Sequence, residues 1–491
     1  AGAAGAAGGG GDFYTHQIPN SVRIPAPSST SSSNGRLTKT FGTVDSSVHW
    51  TLNFWIKRSA LGGTNPVGGV RPLDIFTPRS GTSGSVLNEM FFGSSASYGA
   101  GDAFVITNTN TGAYVLSTDN LFRDTSAWYN FHIQADLDNG TASERIKIFV
   151  NGTEVSYNVD NRGSFTSLAG FTAGAWTIGD YYGYGYPIQS YLAAWAYVDG
   201  YTHPPTDFAE SKNGVWIPKD LSSGITWGSA GHLLMFQDSS ALGDDTSGKG
   251  NDWTTANLAT YDKTLDSPTF GSEGSANFPL WSPLIKGAVN LSENNTRFSG
   301  ATASRTAMTS WAIPTGTKYY VECLVLQVAN SGIVFGVANP DIDLPTSIEA
   351  DSSMNGFLFV GYSGSEWRTN ALENGVRQGW SGNVGLTSAR VMAITIDRVA
   401  NEVKCYLDNS LITSGTVSIS ATQEYHIVCS KSSGAHPAVH MNINAGHDST
   451  GAGDFSAGTA TDENGFGSFQ HAPPSGFLAL CSANLPTADA V

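Results

Sequence analysis

The feature that most constrains this chain is an alternation of apolar and polar residues. Over Val48-His49-Trp50-Thr51-Leu52-Asn53-Phe54-Trp55-Ile56-Lys57, the side chains of Trp50, Leu52, Phe54 and Ile56 fall on one face. A period of two is what a half-buried antiparallel strand requires, and it is incompatible with a helical stripe. The same grammar recurs in Trp128-Tyr129-Asn130-Phe131-His132-Ile133-Gln134-Ala135-Asp136 and in Lys318-Tyr319-Tyr320-Val321-Glu322-Cys323-Leu324-Val325. Arg145-Ile146-Lys147-Ile148-Phe149-Val150 runs into Asn151-Gly152, a strong two-residue hairpin signal, and Thr153-Glu154-Val155 begins the return strand. Val391–Asp397 and Glu402–Asn409 form a second such pair. No amphipathic helix interrupts these runs. The expected fold class is therefore all-β, as antiparallel β-sandwiches without helical crossovers.

Composition agrees with that reading. The 491 residues include 57 glycines, and only 13% are charged, as in a turn-rich β protein. The 40% hydrophobic content is enough for sizeable cores. A formal net charge of −16 repels phosphate backbones and anionic lipid, so nucleic acid is not an expected partner. No run approaches the roughly 18 apolar residues of a membrane helix, and the N-terminus lacks the basic segment and leucine-rich core of a signal peptide, so a soluble mature chain without membrane insertion is expected.

Four segments are expected along the chain. Residues 1–20 form a Gly/Ala-rich arm, 21–203 a first sandwich, 204–290 an irregular Pro/Gly-rich connector, and 291–486 a second sandwich. The arm has no side chains with which to hold itself, and ordering it costs about 1 to 2 kcal/mol per residue. It is therefore expected to attach to a partner, with Phe13, Tyr14 and Ile18 as anchors. The assembly is a homo-oligomer, a trimer being favoured, or a subunit docked on a larger particle. Cys323, Cys405, Cys429 and Cys481 sit in apolar runs, with no C-x-x-C pair and no histidine at zinc spacing. Buried reduced thiols are preferred over two disulfides.

The order W-T-L-N-F-W-I-K-R (50–58), A-W-Y-N-F-H-I (127–133), R-I-K-I-F-V-N-G (145–152) and Y-L-A-A-W-A-Y-V-D-G (191–200) resembles laminin-G-like domains of the concanavalin A-like lectin/glucanase fold. It is most similar to versions carried by tailed bacteriophages, marine ones in particular. G-V-W-I-P-K (214–219) and D-D-T-S-G-K-G-N-D-W (244–253) extend the resemblance. K-Y-Y-V-E-C (318–323), F-G-V-A-N (335–339), the 391–409 hairpin and H-A-P-P-S-G-F-L-A-L-C-S-A-N-L-P (471–486) resemble a SPRY-type domain of the same phage proteins. The resemblance covers most of residues 12–486. It implies jelly-roll sandwiches in a non-enzymatic virion surface protein (fibre, tail or capsid appendage) that contacts other virion proteins and host surface glycans. The alternatives are a secreted cellular carbohydrate-binding lectin or adhesin and a polysaccharide-degrading enzyme. The laminin-G calcium site finds no counterpart in these residues.

Fold alone does not establish binding, so the residues are weighed separately. Glycoside hydrolysis needs paired carboxylates, and the E-x-D-x-x-E strand of the glucanases is absent. Asp136 and Asp138 share a face, yet they end a strand just before Asn139-Gly140, where a solvated turn explains them. No enzyme is expected. The richest recognition candidate is Asp180-Tyr181-Tyr182-Gly183-Tyr184-Gly185-Tyr186, four tyrosines on a glycine-punctuated turn. These rings suit sugar stacking or a protein interface, and packing over the sandwich edge is the alternative. Trp367 and Trp380 flank Asn374-Gly375. They belong either to the binding end of a SPRY-like domain or to its core. Asp244, Asp245 and Asp252 offer oxygen ligands of the kind Ca²⁺ accepts, but in no EF-hand spacing. Capping of local amides is the alternative, and no cofactor is required.

Overall fold

The computed structural model describes residues 13–26, 33–62, 72–81, 87–93, 101–108, 113–182, 185–286, 290–300, 305–327, 333–340, 356–361, 367–373, 376–382, 389–412, 417–431 and 439–486. Residues 1–12, which hold the Gly/Ala run, lie outside them. The described helices are all short 3₁₀ turns, and nearly every strand pair is antiparallel. No described helix is long and apolar enough to cross a membrane. The all-β expectation holds. The chain divides into two compact units, one of residues 11–269 and one beginning at Phe270.

The first unit is a sandwich of two eight-stranded sheets. The first sheet is built around His49–Arg58, which pairs with Trp128–Asp136 on one side and Ser190–Asp199 on the other. The second runs from Tyr157–Asp160 through Ala113–Leu121, Ala103–Asn108, Asn88–Phe92, Leu73–Thr77 and Gly174–Ile178 to Arg36–Phe41. Alternation does what the sequence expects: Trp50, Leu52, Phe54 and Ile56 meet Phe76, Phe92, Phe104 and Trp176 from the facing sheet in one core. Aromatic pairs tie the layers together, among them Phe76 against Trp195 with ring centroids 5.4 Å apart. The Asn151-Gly152 turn is a true two-residue hairpin with both φ positive, at 49° and 78°. A Cβ at Gly152 would stand 2.5 Å from the ring of Trp216, so two constraints keep this glycine.

The connector is the main correction. Residues 204–269 belong to the first unit. His232–Leu234 pairs with Ser190–Asp199, Thr254–Ala256 with Arg36–Phe41, and Lys263–Thr264 with Ser21–Ile24. Leu234, Phe236, Leu242 and Trp253 enter the core of the sandwich. Residues 270–290 belong to the second unit, where Trp281–Lys286 edges a sheet.

The second unit is also a sandwich, with a seven-stranded and a nine-stranded sheet. Its long strand Lys318–Gln327 pairs with Arg390–Asp397, which pairs in turn with Glu402–Leu407. All four cysteines are free and buried. Cys323 and Cys405 sit on the apolar faces of their strands, as alternation requires, and Cys429 lies in the facing sheet.

Candidate functional site

The site forms where the outer face of the second sheet of the first unit meets the tyrosine loop. In Leu73–Thr77 the register slips between Asp74 and Phe76. The extra residue lets Leu73, Ile75 and Phe76 all enter the core while Asp74 turns to the outer face beside Phe91. Glu89 stands on that face, paired with Thr107, whose Oγ1 donates to Glu89 Oε2 at 2.9 Å.

Gly179, with φ 92°, ends Gly174–Ile178 and swings the chain into the loop. The loop is pinned at its base. Ile188 N–H donates to Gly179 O at 3.0 Å, and Asp74 N–H donates to Tyr186 O at 3.0 Å. Inside it, Asp180 Oδ1 accepts the Tyr186 amide at 2.7 Å. The rings of Tyr181 and Tyr186 lie 5.4 Å apart, inclined by 40°. Tyr182 takes φ 49° and covers the Arg79 guanidinium, whose carbon is 3.4 Å from the ring centre. All three rings are half-buried. Tyr184 lies outside the described residues.

The electrostatics are those of an enclosed acidic patch. Asp74 is fully buried, and neither carboxylate oxygen has a hydrogen-bond partner. Desolvation raises its pKa well above the usual range, and the neighbouring Glu89 and Asp180 charges add to the shift. Burial also raises Glu89 and Asp180; for Asp180 the Tyr186 amide and the charge of Arg36 pull the other way. The Asp180 carboxylate and the Asp74 amide therefore hold the loop, while the rings of Tyr181, Tyr182 and Tyr186 form its half-exposed wall.

The other expected site residues are placed differently. Trp380 pairs with Thr369 and Trp367 with Gly382 across one hairpin. The side chains of both lie outside the described set. Tyr14 and Ile18 do not stand ready for a partner, because both are buried within the first unit, where Ile18 N–H donates to Thr269 Oγ1 at 2.9 Å. The folded-back 204–269 segment supplies their surroundings. Phe13 is half-buried, edge-on to Tyr14 and 5.6 Å from the Lys212 amine. Asp245 accepts the amides of Leu233, Ser247 and Asn251, and Asp252 accepts that of Asp245. These two carboxylates cap local amides, the alternative weighed against calcium ligation.

The described residues that could hold a metal ion are His49, Asp136 and Asp138, whose ligand atoms lie within 4.8 Å of one another. His49 Nε2 is 2.9 Å from Asp138 Oδ1 and 3.2 Å from Asp136 Oδ1. The hydrogen bond from Asn139 is the foremost cause of the lowered pKa of Asp136. Asp74 and Glu89 escape a reading of the sequence by motif. The available signal is a lone carboxylate inside each of the apolar runs L-D-I-F-T and N-E-M-F-F.

No family model and no curated protein matches the chain. Among solved structures it is similar to the SPRY domain of human HERC1, at 12% identity over 33% of this chain and 96% of that one, with a TM-score of 0.27. It is similar to the potassium-bound carbohydrate recognition domain of Emp46p, at 12% identity over 32% and 86%, with a TM-score of 0.26. It is also similar to a native heptameric SAP-like pentraxin from Limulus polyphemus, at 15% identity over 39% and 80%, with a TM-score of 0.27.

Proposed function

We propose that this chain is a non-enzymatic carbohydrate-binding protein whose first sandwich holds a glycan against the Tyr181 to Tyr186 loop. The observation that carries the reading is the Tyr181 and Tyr186 ring pair, set at 5.4 Å and fixed by the Asp180 carboxylate on the Tyr186 amide. The C–H face of a pyranose packs on such rings, and the phenol groups and Glu89 offer partners to its hydroxyls. Asp74 and Asp180 are both fully buried, which argues against hydrolysis, because a glycosidase must place two carboxyl groups against the scissile bond.

The resemblance to phage proteins supports the finer reading that the chain is displayed on a virion surface as a fibre, tail or capsid appendage. It would work there as a homo-oligomer and mediate attachment to host glycans. A glycan array probed with the full chain tests the binding: retention on a defined set of glycans, lost in Tyr181→Ala/Tyr186→Ala, is the expected outcome. Mass spectrometry of purified particles tests the location. Absence from particles, with binding intact, would leave the cellular lectin reading.

A further inference from the structure

The strand Ser190–Asp199 does not keep a simple register with His49–Arg58. Ala193 pairs with Trp55 and Ala196 with Asn53, so Ala194 and Trp195 oppose a single residue. Trp195 turns into the core, stacked on Phe54 with centroids 4.9 Å apart. Ala194 adopts φ 46°. A non-glycine residue there costs about 1 to 2 kcal/mol, and such strain clusters at ligand sites. On the outer face of the first sheet, the bulge sets a methyl group beside Trp55 and opens a cavity of about 180 Å³.

The floor of the cavity is the sheet itself, through Asn53, Trp55, Ala194 and Leu233. Its roof is Ile18, Phe208 and Met235, from the N-terminal segment and the folded-back 204–246 stretch. His16, Lys219 and Gln237 stand at the mouth, with Gln237 exposed.

We infer that this cavity is a binding site for a small neutral molecule built on one aromatic ring system, distinct from the tyrosine loop. Size argues first. An apolar cavity of roughly 150 Å³ accepts benzene, so this one accepts a ring of phenol or indole size and excludes an oligosaccharide. Wall chemistry argues next, since Trp55, Phe208 and the Met235 thioether are the side chains that pack best against an aromatic ring.

Four of the polar lining groups already have partners. Lys219 Nζ donates to Thr206 O at 2.6 Å, and Asp220 Oδ1 accepts the Ser222 amide at 2.9 Å. Asn53 Nδ2 is 3.3 Å from His132 Nδ1, while Thr246 Oγ1 donates to Leu233 O at 3.1 Å. A many-hydroxyl ligand would thus leave hydroxyls against Trp55, Phe208 and Met235 without compensation. A single polar substituent is accommodated by pointing out toward Gln237.

Isothermal titration of the full chain with indole and with phenol, using glucose as control, tests the assignment. Indole or phenol should bind saturably at one equivalent, and glucose should not compete. Met235→Trp fills the roof and should weaken binding at least tenfold. Gln237→Trp closes the exposed mouth, and should do the same if the first variant does not fold. Tyr181→Ala/Tyr186→Ala should bind indole like the parent, which separates this site from the glycan site. Absence of saturable binding to both probes, or undiminished binding in a folded filled variant, overturns the assignment.

Discussion

Lys57 and Asp266 form an ion pair sealed inside the first unit, with Nζ 2.6 Å from Oδ2 and both side chains fully removed from solvent. The other oxygen of Asp266 accepts the Trp128 indole N–H at 3.0 Å. Desolvation lowers the Lys57 pKa, and Asp266 is the charge that opposes this. The pair fastens residues 260–269 to the outer face of the first sheet, so that stretch is part of the sandwich's stability.

Removing one partner leaves the other charge buried and alone, which costs about 3 to 5 kcal/mol. Lys57→Met is expected to destabilise the first unit by that amount in urea unfolding. Lys57→Met/Asp266→Asn should recover at least half of the loss. A single variant as stable as the parent would show that the pair contributes nothing.

Stability of the second unit should depend on pH through Glu322. Desolvation pushes its carboxyl up to about 7, against the pull of the Gln470 and His471 amides and of Asn444. A pKa raised by folding stabilises fully below the unfolded value near 4.5, and that contribution is lost as pH rises through about 7. The loss is on the order of 3 kcal/mol at one pKa unit per 1.36 kcal/mol. Urea midpoints at pH 5 and pH 8 should fall more steeply for the parent than for Glu322→Gln. Equal slopes would remove Glu322 as the cause.

The sheets were legible where alternation is long. His49–Arg58 and Trp128–Asp136 pair in the structure as their patterns suggest, and the Asn-Gly hairpin follows from its turn chemistry. The 204–269 segment was not legible for a physical reason. The strands that fasten it to the two sheets are two or three residues long, and their partners are distant, with Thr254 against Thr38 and Thr264 against Ser21. No local period marks a pairing of that kind. The tyrosine loop announces itself by composition. Asp74 does not, because a lone carboxylate in a short apolar run matches no motif, and the register slip after it sends Phe76 into the core against the alternation that would mark the strand's outer face. His49 meets Asp136 only through cross-strand register.

The thiols offer a direct check of the second core. Burial raises all four pKa values, that of Cys481 to about 12. A thiol reagent at pH 8 without reductant should label none in the native chain and four after denaturation. Labelling of the native protein, or none after unfolding, would contradict the buried reduced state.

Asp180 positions Tyr186, so under the proposed function it acts on a glycan only through that residue. Asp180→Ala frees the Tyr186 amide and should weaken glycan binding with all the tyrosines intact. Asp180→Asn keeps an accepting oxygen there and should restore most of the affinity. If both variants bind like the parent, the carboxylate does not position the ring pair.

The most direct test of the account is the affinity of the full chain for its best glycan on an array, measured by titration alongside Tyr181→Ala, Tyr186→Ala and the double variant. Stacking of this kind is worth roughly 0.5 to 1.5 kcal/mol per aromatic contact. Each single change should therefore weaken binding by about 2- to 12-fold, and the double variant should fall further, with melting temperatures near that of the parent. Unchanged affinity in a folded double variant would contradict the assignment of glycan recognition to this loop.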